Sequence, residues 1–221
     1  MSYRIINDQL ETLRFIDSLL DLEVGETYLL RLITRAKYVD HIDKDYDLDI
    51  CTVDKSGIIS AIRNFERKYY DSIGDNDFGI YISINPRGYH NCMIRTMLSF
   101  STVVGEYAGQ DPLTMLYYQL RRSSSRLKYH DFDYDHIDNE AVSILASQVI
   151  NTDAYFILET KSGMHVIVDL DKVDTVTYPN WATDLRSLPG FDDVSVRGDN
   201  MIPIPGCSQF GFVPHLTKPT V

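Results

Sequence analysis

Several large protein classes are closed to this sequence by what it lacks. Only three of its 221 residues are cysteine: Cys51, Cys92 and Cys207. They lie far apart with no paired spacing, which argues against a disulfide scaffold or a zinc knuckle and suits a reducing compartment. Apolar runs such as Tyr28 to Leu30 or Ala154 to Leu158 are far too short to span a bilayer. The opening MSYRIINDQLE has neither an apolar h-region nor a cleavage site. A cytoplasmic protein with no membrane association is expected. Positive charge is scarce as well: 21 Lys and Arg stand against 32 Asp and Glu, for a net charge of −11. That balance argues against a broad electrostatic footprint for nucleic acid, but it leaves room for a local basic groove.

What is present suits a folded α/β or α+β chain. Hydrophobic content is 44%, and the length fits one domain or two tightly joined halves, 1–125 and 126–221. Residues 8–20 carry Leu10, Leu13, Ile16 and Leu20 at helical spacing, with Asp8 and Glu11 set as a capping box. Residues 27–35 lean towards strand, 40–49 read as an acidic, turn-rich loop, and 56–70 read as a helix with Ile58, Ile59, Ile62 and Phe65 on one stripe. The stretch 79–85 is a strand closed by Pro86. Asp111 and Pro112 start a helix that runs to about Arg121. In the second half, 126–135 is a strand, 139–150 an amphipathic helix, and 154–160 and 165–170 are strands joined by a glycine-bearing turn over 161–164. A helix is expected over 180–188, and the Pro- and Gly-rich tail from Met201 reads as extended loop. Basic residues bunch at Arg31, Arg35 and Lys37, at Arg63, Arg67 and Lys68, and at Arg121, Arg122, Arg126 and Lys128. A solvated face would produce each bunch equally well.

Two segments carry chemistry. In HDFDYD the strand period sends Asp131 and Asp133 to one face, roughly 7 Å apart at the backbone. Carboxylates so placed repel each other unless cations lie between them, and a two-metal phosphoryl-transfer site needs metals about 4 Å apart. Oxygen donors of this kind suit Mg²⁺ or Mn²⁺. Relief of that repulsion predicts that removing either acid leaves metal-free protein as stable as before, or more so. In ETKSGMHVIV, a tight turn offers backbone N–H groups together with Lys161, Ser162 and His165, donors suited to a triphosphate. An exposed edge strand and an ordinary hairpin are the plain alternatives to these two readings.

Taken in order, these segments resemble the archaeo-eukaryotic primase superfamily. That family shares an hDhD motif, an s-x-H-type turn leading into a strand, a later acid and a Pro-Gly stretch. The matching residues here are Asp131 and Asp133, Ser162 with His165, Asp193 in GFDDVSV, and PIPG at 203–206. YISINPRG at 81–88 is similar to a strand-NPR segment of small viral and plasmid primase-polymerases. The resemblance runs from about residue 79 to 210. The chain departs from the pattern by one extra residue between Ser162 and His165, by Pro203 where Arg is usual, and by Cys207 where Thr is usual.

The resemblance implies an RRM-like metal-binding half, 126–221, packed on an N-terminal α/β half, and template-directed joining of nucleoside triphosphates with Mg²⁺ or Mn²⁺. Asp131, Asp133 and Asp193 would be the catalytic metal ligands, with Asp192 and Asp169 as alternatives for the third. Lys161, Ser162 and His165 would hold the triphosphate. Arg87 would contact nucleotide or template phosphate, or shape its own turn. Arg121, Arg122, Arg126 and Lys128 would meet a single-stranded template, and a helicase or other replication protein would supply unwinding. A catalytically altered nucleic-acid-binding subunit and a transferase that needs no template are the competing functions.

Overall fold

The computed structural model describes residues 5–40, 43–69, 77–102, 112–121, 123–135, 139–191 and 201–218. The elements run α1 (Gln9–Leu19), β1 (Glu26–Thr34), β2 (Tyr46–Val53), α2 (Ile58–Tyr69), β3 (Gly79–Ser83), β4 (Arg87–Gly88), α3 (Tyr89–Thr102) and α4 (Pro112–Arg121). They continue with β5 (Tyr129–Asp135), α5 (Asn139–Val149), β6 (Tyr155–Glu159), β7 (Gly163–Asp169), α6 (Trp181–Arg186), β8 (Met201–Pro203) and β9 (His215–Thr217). The chain is mixed α+β. One sheet has the order β2-β1-β3-β8 with β4 beside β1, the other β5-β7-β6-β9. Every pairing within them is antiparallel.

The second sheet is buried on both faces, and strand alternation decides what each face meets. Phe156, Leu158 and Ile167 join Leu30, Leu32, Ile80 and Ile82 of the first sheet in one core. Phe132, Tyr134, Val166 and Val168 turn the other way, onto Val142, Ala146 and Leu185 of α5 and α6. Each such aliphatic side chain contributes roughly 1.5–3 kcal/mol on burial. The tail belongs to both sheets, since β8 extends the first and β9 the second. A division at residue 125 therefore separates the strands of the two sheets except for β8.

Four sequence expectations need correction. In α1 the buried face is Thr12, Phe15, Ile16 and Leu19, while Leu10 and Leu13 are 58% and 38% exposed. The tail sets this rotation. Thr12 donates to the Pro205 carbonyl at 2.9 Å, and the Gly206 carbonyl accepts from Asn7 and Asp8 N–H. Gly206 has φ +76°, and a Cβ there would lie 2.2 Å from the Asp8 carbonyl oxygen. Asp8 caps the helix through Glu11 N–H at 3.0 Å, but Glu11 leaves the box open and accepts from Leu216 N–H at 2.8 Å. The acidic loop expected through residue 49 is strand from Tyr46 onwards, because β1 pairs with it and cations neutralise its acids. Finally, the hairpin turn is Thr160 to Ser162, and Gly163 already belongs to β7.

Candidate active site

The two sheets enclose a cleft of about 470 Å³. One wall is the acidic face of β5 with the hairpin turn and β7: Asp131, Asp133, Asp135, Ser162 and His165. The facing wall comes from the first sheet, the turn after β1 and α4: Arg31, Arg35, Lys37, Tyr38, Tyr81, Arg87 and Arg121. Five Lys and Arg thus meet three Asp in the lining of a protein whose net charge is −11. The overall charge left room for a local basic groove, and these five cations form one wall of the cleft.

Alternation along β5 sends Phe132 and Tyr134 into the apolar core, so Asp131 and Asp133 share the cleft face. Pairing brings His165 opposite Asp133. Its Nδ1 lies 2.9 and 3.1 Å from the two Asp131 oxygens, and its Nε2 lies 3.7 Å from Asp133 Oδ1. Burial pulls the imidazole pKa down, but Asp131 and Asp133 outweigh burial and raise it to about 9. At neutral pH an imidazolium therefore sits beside both acids, hydrogen-bonded to Asp131 alone, and offsets the repulsion foreseen from sequence.

Among the described residues no group of three or more His, Cys, Asp or Glu is arranged to hold a metal ion. The donor chemistry of the acid pair nevertheless fits Mg²⁺ or Mn²⁺. Such ions keep several waters and are held by one or two carboxylates together with substrate phosphates. Asp193 and Asp192 lie outside the described residues. Asp169 shares the strand face of His165 but sits beyond buried Ile167, pairs with Lys172 at 2.9 Å, and does not line the cleft.

The hairpin turn is tied to the opposite wall. Ser162 Oγ donates to Asp135 at 3.0 Å and accepts from Tyr38 at 2.9 Å and Lys37 at 3.2 Å. Lys161 does not line the cleft: its Nζ donates to the Phe210 carbonyl and lies 5.0 Å from the Tyr38 ring centre. Gly163 is required by close approach, since a Cβ would lie 1.9 Å from the Tyr134 carbonyl oxygen of β5. We expect Gly163→Ala to cost roughly 3 kcal/mol or more, measured by urea unfolding. A loss below about 1 kcal/mol would show that the hairpin does not pack this tightly on β5.

The basic residues separate into different neighbourhoods. Arg31 and Arg121 share the carboxylate of Asp47, with Arg31 Nε 2.6 Å from Oδ1. A bulge makes this possible. Leu32 pairs with Asp49 and Ile33 with Asp47, so the register skips Leu48. Asp47 thereby turns to the face of Arg31, and Asp49 to the opposite face, where it meets Lys68 at 2.6 Å. Arg87 is 1% exposed and donates to the Arg121 carbonyl at 3.1 Å and to Ser124 at 3.2 Å, fixing the end of α4 over the cleft. The Nε atoms of Arg35 and Arg121 are buried without a hydrogen-bond partner among the described residues. A buried donor left unpaired costs roughly 1–3 kcal/mol.

Arg126 is engaged elsewhere, with Asp21, Glu23 and Glu26 at 3.4, 3.6 and 3.3 Å. Lys128 lies 5.3 Å from the Tyr129 ring centre. Neither lines the cleft, and Arg122 lies outside the described residues. Sequence reasoning missed Tyr38, Gln209 and Asp135 as cleft groups, and Asp47 as the partner of two cleft arginines. Asp135 carried a signal, as the next step of the alternation that selected Asp131 and Asp133. The others came together only through tertiary pairing.

Comparison with protein-family models, with curated proteins and with solved structures found no match. Among the described residues no helix is long and apolar enough to cross a membrane.

Proposed function

We propose that the chain is a template-dependent nucleotidyltransferase of the primase-polymerase kind, as its resemblance to the archaeo-eukaryotic primases implies. The observation that carries this reading is one cleft with a carboxylate pair on one wall and an arginine wall opposite. A nucleoside triphosphate needs both, acids for its metals and cations for its phosphates. In the reaction, a 3′-hydroxyl oxygen bonds to the α-phosphorus, the α–β phosphoanhydride breaks, and pyrophosphate leaves. The hydroxyl proton passes to solvent.

Asp131 and Asp133, with Asp193 as third ligand, would hold Mg²⁺ or Mn²⁺. When bound, these ions lower the pKa of the attacking hydroxyl and neutralise charge on the triphosphate. His165 holds Asp131 through Nδ1. Its Nε2, beyond hydrogen-bond distance of Asp133, is placed to turn towards a phosphate oxygen. Tyr38 lines the same cleft and offers aromatic surface to a base.

Arg126 and Lys128, the cations expected along a template path, are engaged away from the cleft. That favours, as a second reading, a metal-dependent transferase that needs no template. Incubation with labelled nucleotides and Mg²⁺ or Mn²⁺, with and without single-stranded template, separates the two. We expect incorporation that follows template sequence. Sequence-independent tailing would support the second reading, and no incorporation under any condition would reject both.

A further inference from the structure

We propose that Arg31, Arg35 and Arg121, two of them held by Asp47, form a polyphosphate-binding wall that takes the triphosphate tail of the substrate. The inference rests on the nucleotidyl-transfer reading for the word substrate, but the site is argued from its own geometry. It moves the triphosphate off the hairpin turn, because the Lys161 ammonium and the Ser162 hydroxyl are already committed to protein groups. The arginines instead have spare capacity. One carboxylate, Asp47, serves two guanidiniums, and Arg35 stacks over the Tyr81 ring at 5.1 Å. Nε of Arg35 and Nε of Arg121 have no partner among the described residues.

The cluster is also crowded. Burial, and the nearness of Arg121 and Arg35, hold the Arg31 guanidinium below its ordinary pKa despite Asp47. A polyanion between these groups relieves both the like-charge repulsion and the unmet donors, and planar guanidinium forks match phosphate oxygens two at a time. The geometry also selects the kind of anion. Arg31 and Arg121 converge on a single carboxylate, which suits a compact chain of phosphates and not an extended nucleic-acid backbone. The wall faces Asp131 and Asp133 across the cleft, where the reacting phosphorus would lie.

The test is calorimetric titration of the full chain with sodium tripolyphosphate in EDTA, so that neither metal nor catalysis contributes. We expect saturable binding that Arg35→Gln and Arg121→Gln each weaken about tenfold or more. Arg35→Lys should recover only part of the loss, because an ammonium keeps the charge but not the fork. Lys161→Gln should bind within about twofold of wild type. No saturable binding by wild type, or equal losses in the lysine and arginine variants, overturns the proposal. So does a matching loss of affinity for a short single-stranded oligonucleotide, which would assign the arginines to a nucleic-acid backbone. Phenylglyoxal labelling of the wild-type protein gives a reading that needs no variant: tripolyphosphate should protect Arg35 and Arg121, and unchanged labelling counts against the site. If the arginine variants lose tripolyphosphate while wild type incorporates no nucleotide, the site stands and nucleotidyl transfer falls. Incorporation with an unchanged KM in the arginine variants has the opposite meaning.

Discussion

Asp131→Asn is expected to reduce nucleotide incorporation about a thousandfold or more and also to destabilise the metal-free protein. The first effect follows from the several kcal/mol that metal ions contribute to stabilising charge in such a transition state. Asp133→Asn should lose activity to a similar degree. The second effect reverses the expectation from sequence, where two carboxylates on one strand face only repel. Asp131 is 1% exposed and holds the His165 imidazolium, 12% exposed at the side chain, through both oxygens. Removing one partner of a buried pair costs on the order of 3 kcal/mol. Asp133 is more exposed, 28% at the side chain, and lies 3.7 Å from the ring, so its loss should cost less than about 1 kcal/mol. Single-turnover incorporation tests the first effect, and thermal melting at neutral pH in EDTA tests the second. Full activity in either variant would remove the acids from the chemistry. A melting temperature for Asp131→Asn at or above wild type would mean that His165 carries no charge between them.

The reversal shows where sequence reading reached and where it stopped. Alternation along 129–135 correctly set Asp131 and Asp133 against Phe132 and Tyr134, because a strand buried on both faces still has period two. The same local logic found α2, α5 and the β6–β7 hairpin. It did not distinguish a solvated acid from a buried one, since that depends on which strand pairs alongside. His165 meets Asp131 only because β7 lies between β5 and β6.

Helical spacing on α1 failed for a related reason. Leu10/Leu13 and Phe15/Leu19 both fit a helix, and the choice between them was made by Pro205 and Gly206, nearly two hundred residues away. The helix α3 was missed altogether. Ile94, Met97 and Leu98 are exposed, so its apolar residues mark no single buried stripe. Charge was legible only as a sum. The bunch at Arg121, Arg122, Arg126 and Lys128 looks continuous in sequence, yet Arg121 ends α4 at the cleft while Arg126 turns back to Asp21 and Glu26. The small bunch at Arg31, Arg35 and Lys37, no more conspicuous in sequence, supplies most of the basic wall. A bulge at Leu48 then decides that Asp47 joins it.

The stability of the metal-free protein should depend on pH through His165, and the sign is fixed by the direction of its shift. The folded-state pKa is raised from 6.5 to about 9. Burial opposes the charge, Asp131 and Asp133 favour it, and Arg35 opposes it weakly. A raised pKa means that the folded state binds the proton more tightly than the unfolded chain does. The stabilisation is therefore complete below about pH 6.5, declines between 6.5 and 9, and is lost above 9. Its full size is on the order of 3 kcal/mol. Other groups bend the raw curve. Burial lowers the pKa of His130, which costs stability as pH falls below its ordinary range. Burial also pushes the Cys207 thiol up to about 12, which costs stability on the alkaline side. The informative quantity is thus the difference between wild type and His165→Gln, in which those contributions cancel. Glutamine keeps a donor for Asp131 but carries no titratable charge. Melting in EDTA from pH 6 to 9.5 should show wild type well above the variant at the acid end, with the gap closing through about pH 9. Parallel curves across that range would mean that the ring is neutral, and the acid pair would then need another counter-charge.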